Sequence, residues 1–118
     1  MSDVTQYHPT YFSCEAEGQN VRVVFPQLRI TEDDNVEQLG EELFALVEQF
    51  RMKNVVVDFS AVNFVTSSVL GKLITLHRKA ARYDGQLQLT GVHGELEQIL
   101  RTSHLLDYFN VELGGRSE

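Results

Sequence analysis

Residues 55–71 read Val55-Val56-Val57-Asp58-Phe59-Ser60-Ala61-Val62-Asn63-Phe64-Val65-Thr66-Ser67-Ser68-Val69-Leu70-Gly71. This stretch decides the fold. Its β-branched opening, within residues 54–59 (NVVVDF), has the composition of a central strand buried on both faces. Residues 60–66 (SAVNFVT) read as a loop. From Ser67 the period changes: Leu70, Leu73, Ile74, His77 and Ala81 form one stripe at helical spacing, which predicts a helix over 67–83. A buried strand feeding a helix through a short loop is the opening of a βαβ unit.

The neighbouring segments extend the same alternation. Asp84-Gly85 marks a turn, residues 86–90 (QLQLT) alternate as a strand, and Leu96, Ile99 and Leu100 place a shorter helix over 94–103. Phe109, Val111 and Leu113 fit a last short strand. Upstream, Val36, Leu39, Leu43, Leu46, Val47 and Phe50 make one apolar stripe over 35–51. Acids crowd the start of this helix, where its dipole favours them, and Asp33, Asp34 or Asn35 can act as its N-cap. Residues 11–17 (YFSCEAE) and 20–25 (NVRVVF) flank Gly18-Gln19 as an antiparallel hairpin that Pro26 ends. The order β-β-α-β-α-β-α-(β) predicts one α/β domain. Its mixed sheet has four to five strands, an N-terminal antiparallel hairpin, a parallel core with right-handed crossovers, and three to four helices. The domain is expected over 11–113, between a flexible segment 1–10 and a flexible tail 114–118.

Composition bounds the function. A chain of 118 residues, 42% hydrophobic and 23% charged, suits one soluble globular domain. It has no apolar run near the ~20 residues of a membrane helix and no secretory pattern at its start, so no direct membrane insertion is expected. Its one cysteine, Cys14, fits a reducing, cytoplasmic setting. A net charge of −7 argues against a nucleic-acid partner. The charge is polarised: residues 32–48 hold seven acids and no base, and residues 72–82 hold four bases and no acid. Such runs are ordinarily solvated helix faces. The sharper reading is a basic helix that docks an acidic face, on a partner or on the 32–48 helix of a second copy.

The loop at 60–66 leaves the carboxyl end of the central strand, the edge where sites gather in open α/β sheets. It delivers Thr66, Ser67 and Ser68 to a helix start. Ser and Thr are preferred caps there, and Thr66 alone can serve. A phosphoryl group at the same position would meet the positive helix end, so a switch there is expected at modest folding cost. Lys72 lies five residues beyond Ser67, about 140° around the helix, and so does not face it. Gly71 interrupts the helix. It implies either close packing, the commoner case, or a backbone that something else approaches. Asp58 reads as a turn-stabilising acid.

The run from Val55 to Gly71 resembles the signature of STAS domains, the bacterial anti-sigma factor antagonists and their relatives. The family pattern is a hydrophobic strand, an Asp-Phe/Leu-Ser turn, and Asp-Ser-Ser/Thr-Gly-Leu-Gly opening a helix. The resemblance implies a small interaction module without enzymatic activity. It implies Ser67 as phosphoacceptor, with Ser68 as the alternative, and a partner face including Asn63, Thr66, Ser68, Val69 and Lys72. Asp58 and Gly71 would then be structural. The implied partners are an anti-sigma factor that is also a serine/threonine kinase of the ATP-binding, histidine-kinase-like type, and a phosphatase that resets the switch. The unmodified form binds the kinase and the phosphorylated form releases it. This chain has Thr66 where the family has Asp, and Val69 where it has Gly. These departures motivate a second expectation, a non-phosphorylated scaffold or accessory subunit in a stress-signalling or lipid-transport complex.

Other chemistries find little support. His8, His77, His93 and His104 show no metal-ligand spacing with Cys14 or paired acids, so no metal is expected. There is no G-x-S-x-G elbow, P-loop or G-x-G-x-x-G, so no hydrolase nucleophile and no cofactor site is expected. A small enzyme using the strand-end cleft lacks a catalytic pair.

Overall fold

The computed structural model describes residues 4–31 and 34–114. Strand β4 (Asn54–Asp58) lies at the centre of a five-stranded sheet. Around it are β1 (Ser13–Glu17), β2 (Asn20–Val24), β6 (Gln86–Val92) and β7 (Asn110–Leu113), in the order β1-β2-β4-β6-β7. The hairpin β1–β2 is antiparallel and every other pair in this sheet is parallel. The helices are α1 (Val36–Glu48), α2 (Ser67–Arg82) and α3 (Gly94–Thr102). Two short strands, β3 (Arg29–Ile30) and β5 (Phe64–Val65), form a separate parallel ladder. The sequence reading puts β5 inside a loop and has no β3, because two-residue strands carry no period to detect.

Parallel register sets Val21, Val55 and Leu87 side by side, and likewise Val23, Val57 and Leu89. All six are buried in one core with Leu39, Leu43, Leu46 and Val47 of α1 and Leu73, Leu76 and Ala80 of α2. The alternate positions are different. Arg22, Val56 and Gln88 lie in register, with Val56 only half-buried. Beside them Asn54 Nδ2 donates to Asn20 Oδ1 at 2.6 Å, and Gln86 Nε2 donates to Asn54 Oδ1 at 3.2 Å. The expectation that β4 is buried on both faces is corrected. Its second face is a polar surface, and Val56 keeps its apolar character there between Arg22 and Gln88.

Helix α1 is capped by Asn35, whose Oδ1 accepts from the Gln38 N–H at 3.1 Å. Asp34 instead accepts from the Thr31 N–H at 3.0 Å; Asp33 lies outside the described residues. The buried stripe of α2 is Val69, Leu70, Leu73, Leu76 and Ala80. This corrects the expected stripe: Ile74 and His77 are half-buried and Ala81 is exposed, because the face packed on α1 and β6 is rotated from the one read.

The polarised charges face each other within one chain. Lys72 Nζ lies 3.1 Å from Glu37, and Lys79 Nζ lies 2.6 Å from Glu48. The acidic and basic runs therefore clip α1 to α2, and the expected acidic counterpart of Lys72 and Lys79 is supplied in cis. Between the clips, a Cβ on buried Gly40 would come within 2.6 Å of Lys72 Cδ, so the Lys72 stem lies across Gly40.

The sequence reading leaves residues 1–10 outside the domain. In the structure Val4–Gln6 form a 3-10 turn, and Tyr7 packs its ring on Phe50 at 5.0 Å between centroids. The Tyr7 hydroxyl donates to the Glu42 carbonyl at 2.9 Å, and the Glu42 carboxylate accepts from the N–H groups of Thr10 and Tyr11 at 2.9 and 3.2 Å. Burial, then Glu42 and Cys14, push the Tyr7 phenol up to about 12. Residues 1–3 and 115–118, nearly all of the expected tail, lie outside the described residues.

Candidate functional site

The segment that the sequence singles out crosses the carboxyl rim of the sheet, where β4 passes the chain to α2. Asp58 ends β4. Its Oδ1 accepts from the Ser60 N–H at 2.8 Å and from the Ser60 hydroxyl at 2.6 Å, while Oδ2 takes Arg22 Nη2 at 2.6 Å. Burial pushes this carboxyl up, but the two Ser60 bonds and the Arg22 guanidinium outweigh it and hold it below the usual carboxylate range. Asp58 thus closes the turn and ties it to β2.

The next residues are spent on a neighbour. The Asn63 N–H donates to Leu28 O at 2.7 Å, and Asn63 O accepts from the Leu96 N–H at 2.8 Å. Its side-chain Oδ1 accepts from the Glu95 N–H at 3.2 Å. His93, at the N-cap position of α3, makes no side-chain capping bond; its Nε2 sits 2.9 Å from Ser60 O. Asn63 therefore caps α3 from outside that helix. Read from the sequence as a partner contact, it holds a structural joint. Gly94 completes the joint, since its φ is +62° and a Cβ there would strike Asn63 Oδ1.

Helix α2 starts differently. Thr66 occupies the N-cap position with extended backbone, but its side chain makes no capping bond and its Oγ1 is buried without a partner. The cap expected of Thr66 is corrected: the hydroxyl turns inward. Ser67 and Ser68 are both exposed. Val69, read as a partner contact, is 1% exposed, so its side chain belongs to the core. A residue in the third position of this helix reaches the stripe that faces the sheet.

Gly71 is also corrected. It is exposed, and a Cβ added there would meet nothing within 4 Å. Close packing does not account for it, and the other reading, a backbone left open to approach, remains. Ser68, Gly71 and Lys72 line one shallow depression with Thr75 and the first residues of α1, Asp34 to Glu37. Ser67 is not among the residues lining it. Lys72 is engaged there by both carboxylate oxygens of Glu37 at 3.1 Å.

Sequence reasoning missed the residues beside β5. Leu28 is 61% exposed, although it is a large apolar side chain. Next to it Arg29 stacks on Phe64, its guanidinium carbon 4.2 Å from the ring centroid, and reaches Glu95 at 3.5 Å. No local pattern marks these residues, because β3 and β5 bring them to the rim only through pairing. Among the described residues, no group of three or more His, Cys, Asp or Glu side chains is placed to hold a metal. Among them also, no helix is long and apolar enough to cross a membrane.

A mixed sheet with an antiparallel opening hairpin, helices α1 and α2 on one face and a hydroxyl-bearing helix start at the carboxyl rim together define a class of small α/β domains. The chain belongs to the STAS domain family, whose model matches residues 19–114. Solved structures agree. An anti-sigma-factor antagonist (STAS) domain protein from Planctomyces limnophilus is 20% identical, with a TM-score of 0.77 over 91% of this chain and 92% of that one. A serine-to-glutamate variant of Moorella thermoacetica RsbS is 25% identical, with a TM-score of 0.71 over 88% and 87%. The Bacillus cell fate determinant SpoIIAA in its phosphorylated form is 17% identical, with a TM-score of 0.66 over 85% and 89%. A search of curated protein sequences finds no match.

Proposed function

We propose that this chain is a phosphorylation-controlled interaction module of the anti-sigma factor antagonist type. In this reading the unmodified form binds an anti-sigma factor that is also a serine/threonine kinase of the ATP-binding, histidine-kinase-like type. The kinase transfers a phosphoryl group to Ser67, the modified form dissociates, and a phosphatase restores it. The module works in the cytoplasm and performs no catalysis itself; the transfer chemistry belongs to the partner.

The observation that carries the reading is the exposed pair Ser67-Ser68 at an α2 start whose N-cap side chain makes no capping bond. A phosphoryl group on Ser67 would add close to two negative charges at pH 7, at a helix end that tolerates them. In an interface, the same charges must be desolvated. Exposed Gly71, one turn on, offers bare backbone for a partner's approach. That SpoIIAA, a relative by fold, has a phosphorylated form supports the assignment.

The scaffold reading keeps one observation, the unpartnered Thr66 hydroxyl where the family has Asp. Its other motive weakens, because Val69 is absorbed by the core. Affinity capture from native lysate with wild-type, Ser67→Ala and Ser67→Asp baits tests the choice. The switch reading expects an ATP-binding kinase on the wild-type bait, its loss on Ser67→Asp, and no phosphate incorporation into Ser67→Ala. Equal retention by all three baits supports the scaffold instead.

A further inference from the structure

The two serines at the α2 start are chemically alike but do not have the same surroundings. Ser68 lines the depression between α1 and α2, and Lys72 lines it four residues later. Residues four apart on a helix are neighbours on one face, with Cβ atoms about 5–6 Å apart. Ser67, five residues from Lys72, lies about 140° away around the axis. Lys72 is not idle. Its side chain is 21% exposed, its stem crosses Gly40, and its ammonium holds Glu37, whose side chain is 81% exposed.

We propose that Lys72 distinguishes the two hydroxyls. A phosphoryl group on Ser68 is captured by Lys72, which then releases Glu37 and opens the clip between α1 and α2. A phosphoryl group on Ser67 leaves the clip closed. This rests on the reading of the α2 start as the modified segment. In the modifying step, the Ser68 hydroxyl oxygen forms a bond to the terminal phosphorus of a nucleoside triphosphate. The bond to the diphosphate leaving group breaks, and the serine proton passes to a base of the separate kinase.

The physical argument is a competition for one cation. Glu37 offers a single negative charge on a long, exposed side chain, and ordering it costs rotamer entropy. A phosphate on Ser68 offers close to two charges and three acceptor oxygens on a short side chain of Lys72's own helix. It also lies near Asp34 and Glu37, which line the same depression. The phosphate and these carboxylates repel one another; Asp34 is held by the Thr31 N–H, whereas Glu37, 81% exposed, is the group free to swing into solvent. The two marks therefore write different outputs: charge on the rim for Ser67, and a loosened first turn of α1 for Ser68.

The test needs neither kinase nor partner, so it stands apart from the switch reading itself. The full chain is made with phosphoserine placed by codon suppression at position 67 or at position 68. Phosphorus NMR then follows the second ionisation of each phosphate. The expected result is a lower midpoint for position 68 than for position 67, by a few tenths of a pH unit, the size an exposed ion pair four residues apart supplies. Lys72→Met keeps most of the stem over Gly40 and should abolish the difference; Lys72→Arg should preserve it. Amide exchange in the first turn of α1 should quicken with phosphate at 68 and not at 67. Equal midpoints in the wild-type chain overturn the proposal, and so does a difference that survives Lys72→Met.

Discussion

The starts of α2 and α3 leave the same rim of the sheet and are built in opposite ways. At α3 the cap comes from a distant loop: Asn63 accepts the Glu95 N–H through its side chain and the Leu96 N–H through its carbonyl, with Gly94 shaped to let it in. At α2 the residue in the capping position turns its hydroxyl inward, and the next two residues are exposed serines. Where a helix start is a joint, another segment seals it. Where the start carries exposed serines, no capping bond from Thr66 covers it. Hydrogen bonds tie residues 59–63 to residues 90–96 at this rim, and the exposed Ser67 and Ser68 stand beside that joint.

The contrast is most easily broken at its sealed side. Gly94→Ala must accept a positive φ, which costs about 1–2 kcal/mol, and must push Asn63 off its cap, which costs about as much again. A combined loss of about 2–4 kcal/mol is expected in urea unfolding, among the larger single-site effects. Unfolding at the wild-type midpoint would show that the joint contributes little. Asn63→Ala leaves the backbone bonds but deletes the side-chain cap, and should cost about 1–2 kcal/mol. Exchange of the Glu95 amide should quicken in parallel.

The open side predicts the opposite sign. Gly71→Ala meets no neighbour, and alanine is the better helix former by about 1 kcal/mol. A gain of about 0.5–1 kcal/mol in the same assay is expected, and a loss would restore close packing as the reason for this glycine. A smaller, pH-dependent effect separates the turn from both helix starts. The folded Asp58 carboxyl is held below its ordinary value. Its contribution is therefore complete above the unfolded value of about 3.9 and fades as pH falls through the folded one. The stability gap between wild type and Asp58→Asn should shrink on acidification from about pH 6 to pH 3.

The order of elements was legible because it is carried by local period. The Val55–Val57 run, the stripe of α1 and the alternation at 86–90 each declare a strand or helix within a few residues. What was not legible depends on pairing across the chain. The ladder of β3 and β5 is two residues deep and exists only because Arg29–Ile30 and Phe64–Val65 meet. Lys72 and Glu37 are 35 residues apart, so a charge run that pairs in cis looks the same in sequence as one that seeks a partner. Asn63 drew notice by its place in the motif; that its side chain also caps a helix 32 residues on shows only in the fold. Val69 and Gly71 show the same limit in miniature. A rotation of the α2 stripe puts the bulky residue in the core and the small one on the surface.

The smallest expected effect is the most informative about the hydroxyl itself. If Ser67 were kept as a folding device, removing its hydroxyl would cost what a lost N-cap costs, typically about 1 kcal/mol. Ser67 is instead exposed and lies inside the helix, one residue past the N-cap position. Ser67→Ala is therefore expected to change unfolding stability by less than about 0.5 kcal/mol, the ordinary range for a surface substitution. Ser67→Asp places a negative charge at the positive helix end and should stabilise by about 0.3–1 kcal/mol at low salt. Thermal or urea unfolding of the two variants beside wild type measures both. A cost near 1 kcal/mol for alanine would return Ser67 to the role of a cap and make α2 the match of α3. A neutral alanine and a slightly more stable aspartate would remove unfolding as an explanation for any partner that Ser67→Asp fails to bind, leaving charge at the rim as the cause.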